Sequence, residues 1–209
     1  MSRAHVVITG TGRTGTSFLV QLLTYLGLDT GYSPQKMVLS AGARAGLEHD
    51  IRMGNPPYIV KSPWFGLYAE EVIRTRNDIE IEHVFIPMRD LHAAAESRRY
   101  VTEKLKAKMT QEEWEKVDVS RIPGGIWLTR DESEQEKVLL DHLYKLLLVL
   151  SNTMIPVTLM QYPRITKDSQ YLYAKLKPIL KDITYTRFET VFNKAVLPDF
   201  VHSFNENDK

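Results

Sequence analysis

Residues 4–27 read AHVVITGTGRTGTSFLVQLLTYLG, and the fold that we expect for the whole chain follows from them. An apolar run at residues 6–8 predicts a buried strand, and leucines at helical spacing farther on predict an amphipathic helix. Between them, Gly10, Gly12 and Gly15 punctuate a turn that is rich in hydroxyl side chains. Glycines let backbone N–H groups approach an anion closely, and the first turn of a helix points its free amides at the same place. The stretch therefore predicts a strand, a loop and a helix that hold phosphate.

The glycine spacing also separates two kinds of phosphate site. Gly10 and Gly15 match the glycines of the Walker pattern G-x-x-x-x-G-K-[ST], but Thr16 stands at the position of its lysine. The nearest cation within the loop is Arg13 instead. Because the Walker lysine is the main charge against the β and γ phosphates, its replacement argues against ATP or GTP hydrolysis.

Length and composition predict one compact domain over residues 1–209, large enough to fold without disulfides or metals. The formal net charge of +1 argues against a nucleic-acid partner, since it provides no global basic field. The sequence has no cysteine, which excludes thiolate metal sites and cysteine nucleophiles. No apolar run approaches the roughly 20 residues of a membrane span, and no signal core is visible at the start. We therefore expect a soluble, cytoplasmic protein with no membrane partner.

The loop Gly12-Arg-Thr-Gly-Thr-Ser17 resembles the 5′-phosphosulfate-binding loop of the sulfotransferases, in which a lysine or arginine precedes a small residue, a glycine and two hydroxyl residues. The resemblance assigns Arg13 to the transferring sulfonate and the bridging oxygen. It places the 5′ phosphate of the donor on the rest of the loop. The implied cofactor-binding residues here are Gly12, Arg13, Thr14, Gly15, Thr16 and Ser17. A plain strand-to-helix turn is the alternative, but three glycines and three hydroxyls around one arginine exceed what a turn requires.

A second candidate site residue, Lys61, ends the short apolar run Tyr58-Ile-Val60, which predicts a buried parallel strand. In open parallel sheets, ligands bind at the carboxyl ends of the strands. The sequence from Lys61 to Phe65 resembles a motif of the carbohydrate sulfotransferases, where the lysine lies beside the sulfonate and assists its transfer. The resemblance gives Lys61 that catalytic role.

A third strand, predicted over residues 79–88, delivers Arg89 and Asp90 to the same edge of the sheet. Arg89 and Ser97, which follows eight positions later on the next helix, resemble the 3′-phosphate site of sulfotransferases. Arginine suits this role because its forked donors match phosphate oxygens, and serine adds a hydroxyl donor. Two phosphate sites on adjacent strand ends indicate a 3′,5′-bisphosphorylated nucleotide rather than a triphosphate.

The general base is predicted only by resemblance. Cytosolic sulfotransferases use a histidine two residues after the strand-end lysine, where this chain has Pro63. Carbohydrate enzymes use a glutamate from an earlier segment, which makes Glu48 or His49 the candidate base. The Arg-Lys-Gly motif that closes the nucleotide site of the cytosolic enzymes is absent from the sequence, and the glycine-containing residues 120–130 are a candidate lid. The basic stretch at residues 98–108 is typical of a solvated helix face.

Together these patterns predict an α/β fold with a mostly parallel central sheet flanked by helices, in a three-layer architecture like that of P-loop nucleoside triphosphatases. The resemblance implies a sulfotransferase that uses 3′-phosphoadenosine 5′-phosphosulfate (PAPS), releases adenosine 3′,5′-bisphosphate (PAP) and needs no metal. Its acceptor would be a hydroxyl or amine of a small molecule or carbohydrate. Two alternatives remain: a P-loop small-molecule or nucleoside kinase, in which Asp90 would hold magnesium, and a catalytically silent nucleotide-binding module.

Overall fold

Four parallel strands form the central layer of the protein. The computed structural model describes residues 2–40, 45–118 and 122–196, and all structural statements refer to these residues. The strands are β1 (Arg3–Ile8), β2 (Ile59–Lys61), β3 (Ile79–Met88) and β4 (Val157–Gln161). They pair in the order β2-β1-β3-β4, and every pair is parallel. The predicted parallel sheet is therefore confirmed.

Helices connect and cover these strands. They are α1 (Thr16–Tyr25), α2 (Phe65–Thr75), α3 (Leu91–Lys106), α4 (Gln111–Glu115), α5 (Gln135–Ser151), α6 (Ser169–Leu180) and α7 (Tyr185–Ala195). Two 3-10 turns, Glu132–Glu134 and Arg164–Thr166, precede α5 and α6. Asp90 caps the N-terminus of α3: its side chain accepts a hydrogen bond of 2.8 Å from the backbone N–H of Ala93.

The side chains of β1 divide the core into two layers. Val6 and Ile8 pack in one apolar cluster with residues of α1, α6 and α7. Val7 faces the other side of the sheet and packs with residues of α2 and α5. Since successive residues of a strand point to opposite faces, a strand that is buried at consecutive positions needs helices on both sides. The architecture is the three-layer α/β arrangement that the sequence predicts.

Because all four strands run in the same direction, their carboxyl ends lie along one edge of the sheet. β1 leads into the glycine-rich loop, β2 ends at Lys61, β3 is followed by Arg89, and β4 is followed by Tyr162. This edge therefore collects the residues that the sequence singles out. In the described part of the chain, no helix combines the length and apolar character needed to cross a membrane.

His142 lies in the buried face of α5. Its side chain packs edge-to-face against Trp127 at 4.5 Å between ring centroids, and Nε2 lies 3.0 Å from the carbonyl oxygen of Pro63. The residue is only 3% exposed. Burial lowers the pKa of His142 to about 4, and the positive charge of Arg98 adds to this effect, while the hydrogen bond to Pro63 opposes it. His142 is therefore neutral in the folded protein near pH 7.

We expect the free energy of unfolding to fall as the pH drops from about 6.5 to 4. In this window the unfolded chain binds a proton at His142 that the folded chain does not, so acidification favours unfolding by up to about 3 kcal/mol. A His142→Gln variant should lose this part of the pH dependence. Urea unfolding at pH 7.5, 6 and 5 measures the effect. If the free energy of unfolding changes equally with pH in the two proteins, the prediction is contradicted.

Candidate functional site

The carboxyl edge of the sheet opens onto a cavity of about 160 Å³. Its wall contains the glycine-rich loop, the first turn of α1, Lys61 of β2, Arg89 after β3, and residues from α3 and the segment after β4. The charged side chains that line it in the described structure are Arg13, Glu48, Lys61, Arg89 and Arg98. Four basic groups and one carboxylate around one cavity favour an anionic ligand.

The N-terminal glycine loop (residues 10–15) has an unusual backbone. Gly10, Gly12, Arg13 and Gly15 all have positive φ, at 125°, 67°, 58° and 82°. A Cβ atom on Gly15 would lie 3.0 Å from the Ile165 side chain, so glycine is required by space as well as by backbone conformation. Arg13 is not a glycine, yet its backbone is in the left-handed region. Such outliers cluster at ligand sites.

The first turn of α1 faces the same cavity through Thr16 and Ser17. Gly15 occupies the N-cap position, and no side chain caps the helix. The first amides of an α-helix have no partner within the helix, and the helix dipole places positive potential there. The loop and helix therefore provide the backbone donors that the sequence predicts for a phosphate group.

Arg13, Arg89 and Ser97 form one connected cluster. The Nε of Arg13 donates a hydrogen bond of 3.1 Å to Ser97 Oγ, and Arg89 Nη1 donates one of 3.0 Å to the carbonyl oxygen of Arg13. Burial lowers the pKa of both arginines, and the neighbouring charge of Arg89 lowers that of Arg13 further. Because the two cations repel each other in a partly buried site, an anion between them would relieve the repulsion.

Lys61 forms a second cluster at the end of β2. Its Nζ donates 2.8 Å hydrogen bonds to Ser17 Oγ and to Glu48 Oε1, and a third to the carbonyl oxygen of Gly46. The residue is 2% exposed. Burial lowers the pKa of Lys61, and the nearby charge of Arg13 lowers it further, whereas Glu48 raises it. Lys61 thus contacts two other predicted site residues, Ser17 and Glu48, directly.

The structure separates the two candidate general bases. Glu48 lines the cavity, where its carboxylate accepts the hydrogen bond from Lys61. His49 lies outside the lining; its ring packs against Tyr32 at 4.9 Å between centroids, and its buried Nε2 has no hydrogen-bond partner among the described residues. The position of Glu48 suits a general base better than that of His49. Thr14 is also buried away from the lining, so of the predicted loop residues only its side chain does not border the cavity.

Arg98 belongs to the site although the sequence placed it on a solvated helix face. That prediction was wrong, because Arg98 is only 6% exposed and lines the cavity. Helical periodicity offers the missing signal. Ala94 and Ala95 are fully buried, and Arg98 lies four and three positions after them, on the same face of α3.

The second glycine segment (residues 122–127) forms a wall of the cavity through Gly124. The backbone N–H of Ile126 donates to Thr102 Oγ1 at 2.8 Å, and that of Trp127 donates to Gln135 Oε1 at 2.6 Å. Ile126 and Trp127 are buried. The segment is therefore anchored to α3 and α5 by buried hydrogen bonds. The lid expected over residues 120–130 stays a prediction. Residues 120 and 121 of that candidate lid lie outside the described residues.

Comparison with known proteins gives no relative for this chain: no family model, curated protein or solved structure matches it significantly. Among residues 2–40, 45–118 and 122–196, no three histidine, aspartate or glutamate side chains form a group suited to a metal ion. The geometry of the cavity is therefore the basis for assigning a function.

Proposed function

We propose that this protein is a cytoplasmic sulfotransferase that moves a sulfonate group from PAPS to a hydroxyl or amine of a small-molecule or carbohydrate acceptor. One observation carries the proposal: Arg13, Lys61 and Arg89 come from three different strand ends and line one cavity beside the uncapped first turn of α1. PAPS is anionic at both the 5′ and the 3′ carbon of its ribose. The cavity offers cationic side chains and the free amides of a helix N-terminus, which are two kinds of group that bind anions.

The residues around the cavity fit the nucleotide that the proposal requires. The N-terminal glycine loop, Thr16 and Ser17 would hold the 5′ phosphosulfate, and Arg89 with Ser97 would hold the 3′ phosphate. The two groups of residues are in contact, since Arg13 Nε lies 3.1 Å from Ser97 Oγ. The donor carries its phosphosulfate and its second phosphate on the 5′ and 3′ carbons of one ribose, so a single molecule would contact both groups of residues.

The protein groups have distinct chemical roles in this proposal. The donor supplies an activated sulfonate with an anionic leaving group. Arg13 directs N–H donors at the leaving oxygen as negative charge develops on it, and such a donor typically contributes a factor of about 10²–10³ in rate. The three N–H groups of Lys61 are hydrogen-bonded to Ser17, Gly46 and Glu48, so Lys61 stabilises the same charge through its positive charge beside the cavity. Glu48 accepts the proton of the acceptor hydroxyl or amine, and Lys61 orients its carboxylate through their 2.8 Å hydrogen bond.

The kinase alternative is supported less well by the same residues. Thr16 occupies the position of the Walker lysine, and a carboxylate oxygen of Asp90 already caps α3. A catalytically silent nucleotide-binding module fits the same binding groups and differs only in lacking turnover.

Thermal unfolding with different nucleotides tests the proposal. We expect PAP to raise the melting temperature by roughly 5–10 °C at about 100 times its Kd, since this concentration adds about 2.7 kcal/mol. ATP with magnesium at the same concentration should give a smaller rise. Stabilisation by ATP with magnesium alone would overturn the proposal, and binding of PAP without transfer from PAPS to a broad acceptor panel would favour the silent module.

A further inference from the structure

Arg98 connects two segments that are far apart in the sequence. Its Nη2 donates a 2.6 Å hydrogen bond to the carbonyl oxygen of Thr11, in the N-terminal glycine loop. Its Nη1 donates another 2.6 Å hydrogen bond to the carbonyl oxygen of Gly125, in the second glycine segment. The planar fork of a guanidinium can bridge two such acceptors, which a lysine ammonium on a single flexible stem does much less well. Arg98 therefore fixes the distance between the two glycine-containing walls of the cavity.

The surroundings of Arg98 are specifically adapted to this side chain. Gly12 has φ of 67°, and a Cβ atom there would lie only 2.5 Å from Arg98 Nη2, so a side chain at this position would displace the guanidinium. On the other side, the guanidinium carbon lies 5.4 Å from the centroid of the Trp127 ring. The two hydrogen bonds to backbone carbonyl groups hold the guanidinium between the two segments.

The charge of Arg98 lacks compensation from the acceptors that it contacts. Both are neutral carbonyl groups, and its Nε is buried without a polar partner among the described residues. A buried charge costs several kcal/mol unless an opposite charge compensates it. Burial, reinforced by the charge of Arg13, lowers the pKa of Arg98 to about 9. Since Arg98 borders the cavity, an anion bound there would supply the missing compensation.

We propose that Arg98 is the positioning residue of the anion site: it clamps the two glycine segments together, so that binding of a polyanion depends on the second glycine segment as well as on the N-terminal loop. This inference deepens the proposed function and rests on its requirement for an anion in the cavity, but not on sulfonate transfer. The second glycine segment thereby takes part in binding through Arg98 and not through charged side chains of its own.

Two variants of Arg98 and one matched control test this role. Arg98→Gln removes the charge and the fork, whereas Arg98→Lys keeps the charge but not the fork. Arg99→Gln removes a charge from the next residue of the same helix, where Arg99 pairs with Glu96 and donates to the carbonyl of Glu132. The probes are PAP and inorganic pyrophosphate. Calorimetry gives the affinity of each protein, and amide hydrogen exchange followed by mass spectrometry reports on each segment.

In the native protein and in Arg99→Gln, we expect either bound probe to slow exchange in both the N-terminal loop and the second glycine segment. Arg98→Gln should weaken both probes by about 10- to 100-fold, because a charge-assisted interaction contributes roughly 1.5–3 kcal/mol. Arg98→Lys should recover part of that affinity. In this variant, however, a bound probe should slow amide exchange in the N-terminal loop only. If Arg98 had only a structural role, its replacement would lower the melting temperature, and probe affinity and protection of the second glycine segment would change together.

Several outcomes would overturn the role of Arg98. The first is that Arg98→Gln binds the probes as tightly as Arg99→Gln does. The second is that a bound probe still slows exchange in the second glycine segment of both Arg98 variants. The third is that the native protein binds neither probe. If Arg98→Gln does not fold, the exchange pattern of Arg98→Lys decides the question. Tight binding of PAP that is independent of Arg98 would refute this inference and leave the sulfotransferase proposal intact. Arg98-dependent binding of pyrophosphate with no binding of PAP would do the reverse.

Discussion

Replacing Arg13 by alanine is expected to reduce sulfonate transfer by a factor of about 10²–10³, the usual effect of removing one donor from a developing negative charge. Arg13 is the cation of the N-terminal glycine loop, and its side chain reaches the cavity through a loop position with φ of 58°. No backbone amide can replace its full charge. The loss should therefore appear mainly in kcat, measured with PAPS and an acceptor panel in which the native protein shows turnover.

Arg89→Ala is the informative comparison for Arg13→Ala. Arg89 contacts the carbonyl oxygen of Arg13 at 3.0 Å and lies beside the predicted 3′-phosphate position. Its removal should weaken binding of PAP by about 10- to 100-fold, the equivalent of one charge-assisted interaction, with a smaller change in kcat. Arg13→Lys should retain part of the rate because it keeps a cation. Equal and small effects of Arg13→Ala and Arg89→Ala would mean that the two sites are misplaced.

Replacing Gly15 by alanine is expected to lower the free energy of unfolding by about 2–5 kcal/mol. A left-handed residue with a Cβ costs about 1–2 kcal/mol, and crowding in a packed site adds about 1–3 kcal/mol. Gly15 has φ of 82°, and a Cβ there would lie 3.0 Å from Ile165 and 3.2 Å from Tyr162. Because this residue precedes the first turn of α1, the variant should also bind PAP more weakly.

Gly54→Ala is the matched control for Gly15→Ala. Gly54 also has a positive φ, of 62°, but a Cβ there would meet no atom within 4 Å. This control should cost only the backbone contribution of about 1–2 kcal/mol and leave the binding of PAP unchanged. Urea unfolding and calorimetry of the two variants measure the difference. If both lose the same stability, the contacts of Gly15 with Ile165 and Tyr162 do not matter.

The sequence predicted the fold class correctly because its strands are short apolar runs that end at polar residues. Residues 6–8 and 79–88 lie within β1 and β3, and the run that ends at Val60 overlaps β2. Successive side chains of a strand point to opposite faces of the sheet, and in these runs both faces are apolar. Helices were therefore required on both sides of the sheet. The convergence of Arg13, Lys61 and Arg89 followed from the same reasoning, since the carboxyl ends of parallel strands share an edge.

Other features of the site could not be predicted, because they depend on irregular backbone or on packing between distant elements. Glu48 and His49 are neighbours, yet only Glu48 lines the cavity; the preceding Leu47 has φ of 67°, and no periodic pattern reveals such a turn. The contact of Arg13 with Ser97 joins residues 84 positions apart. Helical periodicity places Arg98 on the same face as the buried Ala94 and Ala95, but its hydrogen bond to the N-terminal glycine loop depends on packing between distant elements.

Each strand of the sheet contributes one component of the cavity: the loop after β1, Lys61 from β2, Arg89 after β3 and Tyr162 after β4. The pocket is consequently complete only when all four strands have assembled in their native order. Ligand affinity is thus a sensitive measure of the fraction of molecules that have reached the native topology. A fragment that ends before residue 157 lacks β4 and should bind poorly, however well its first strand and helix form.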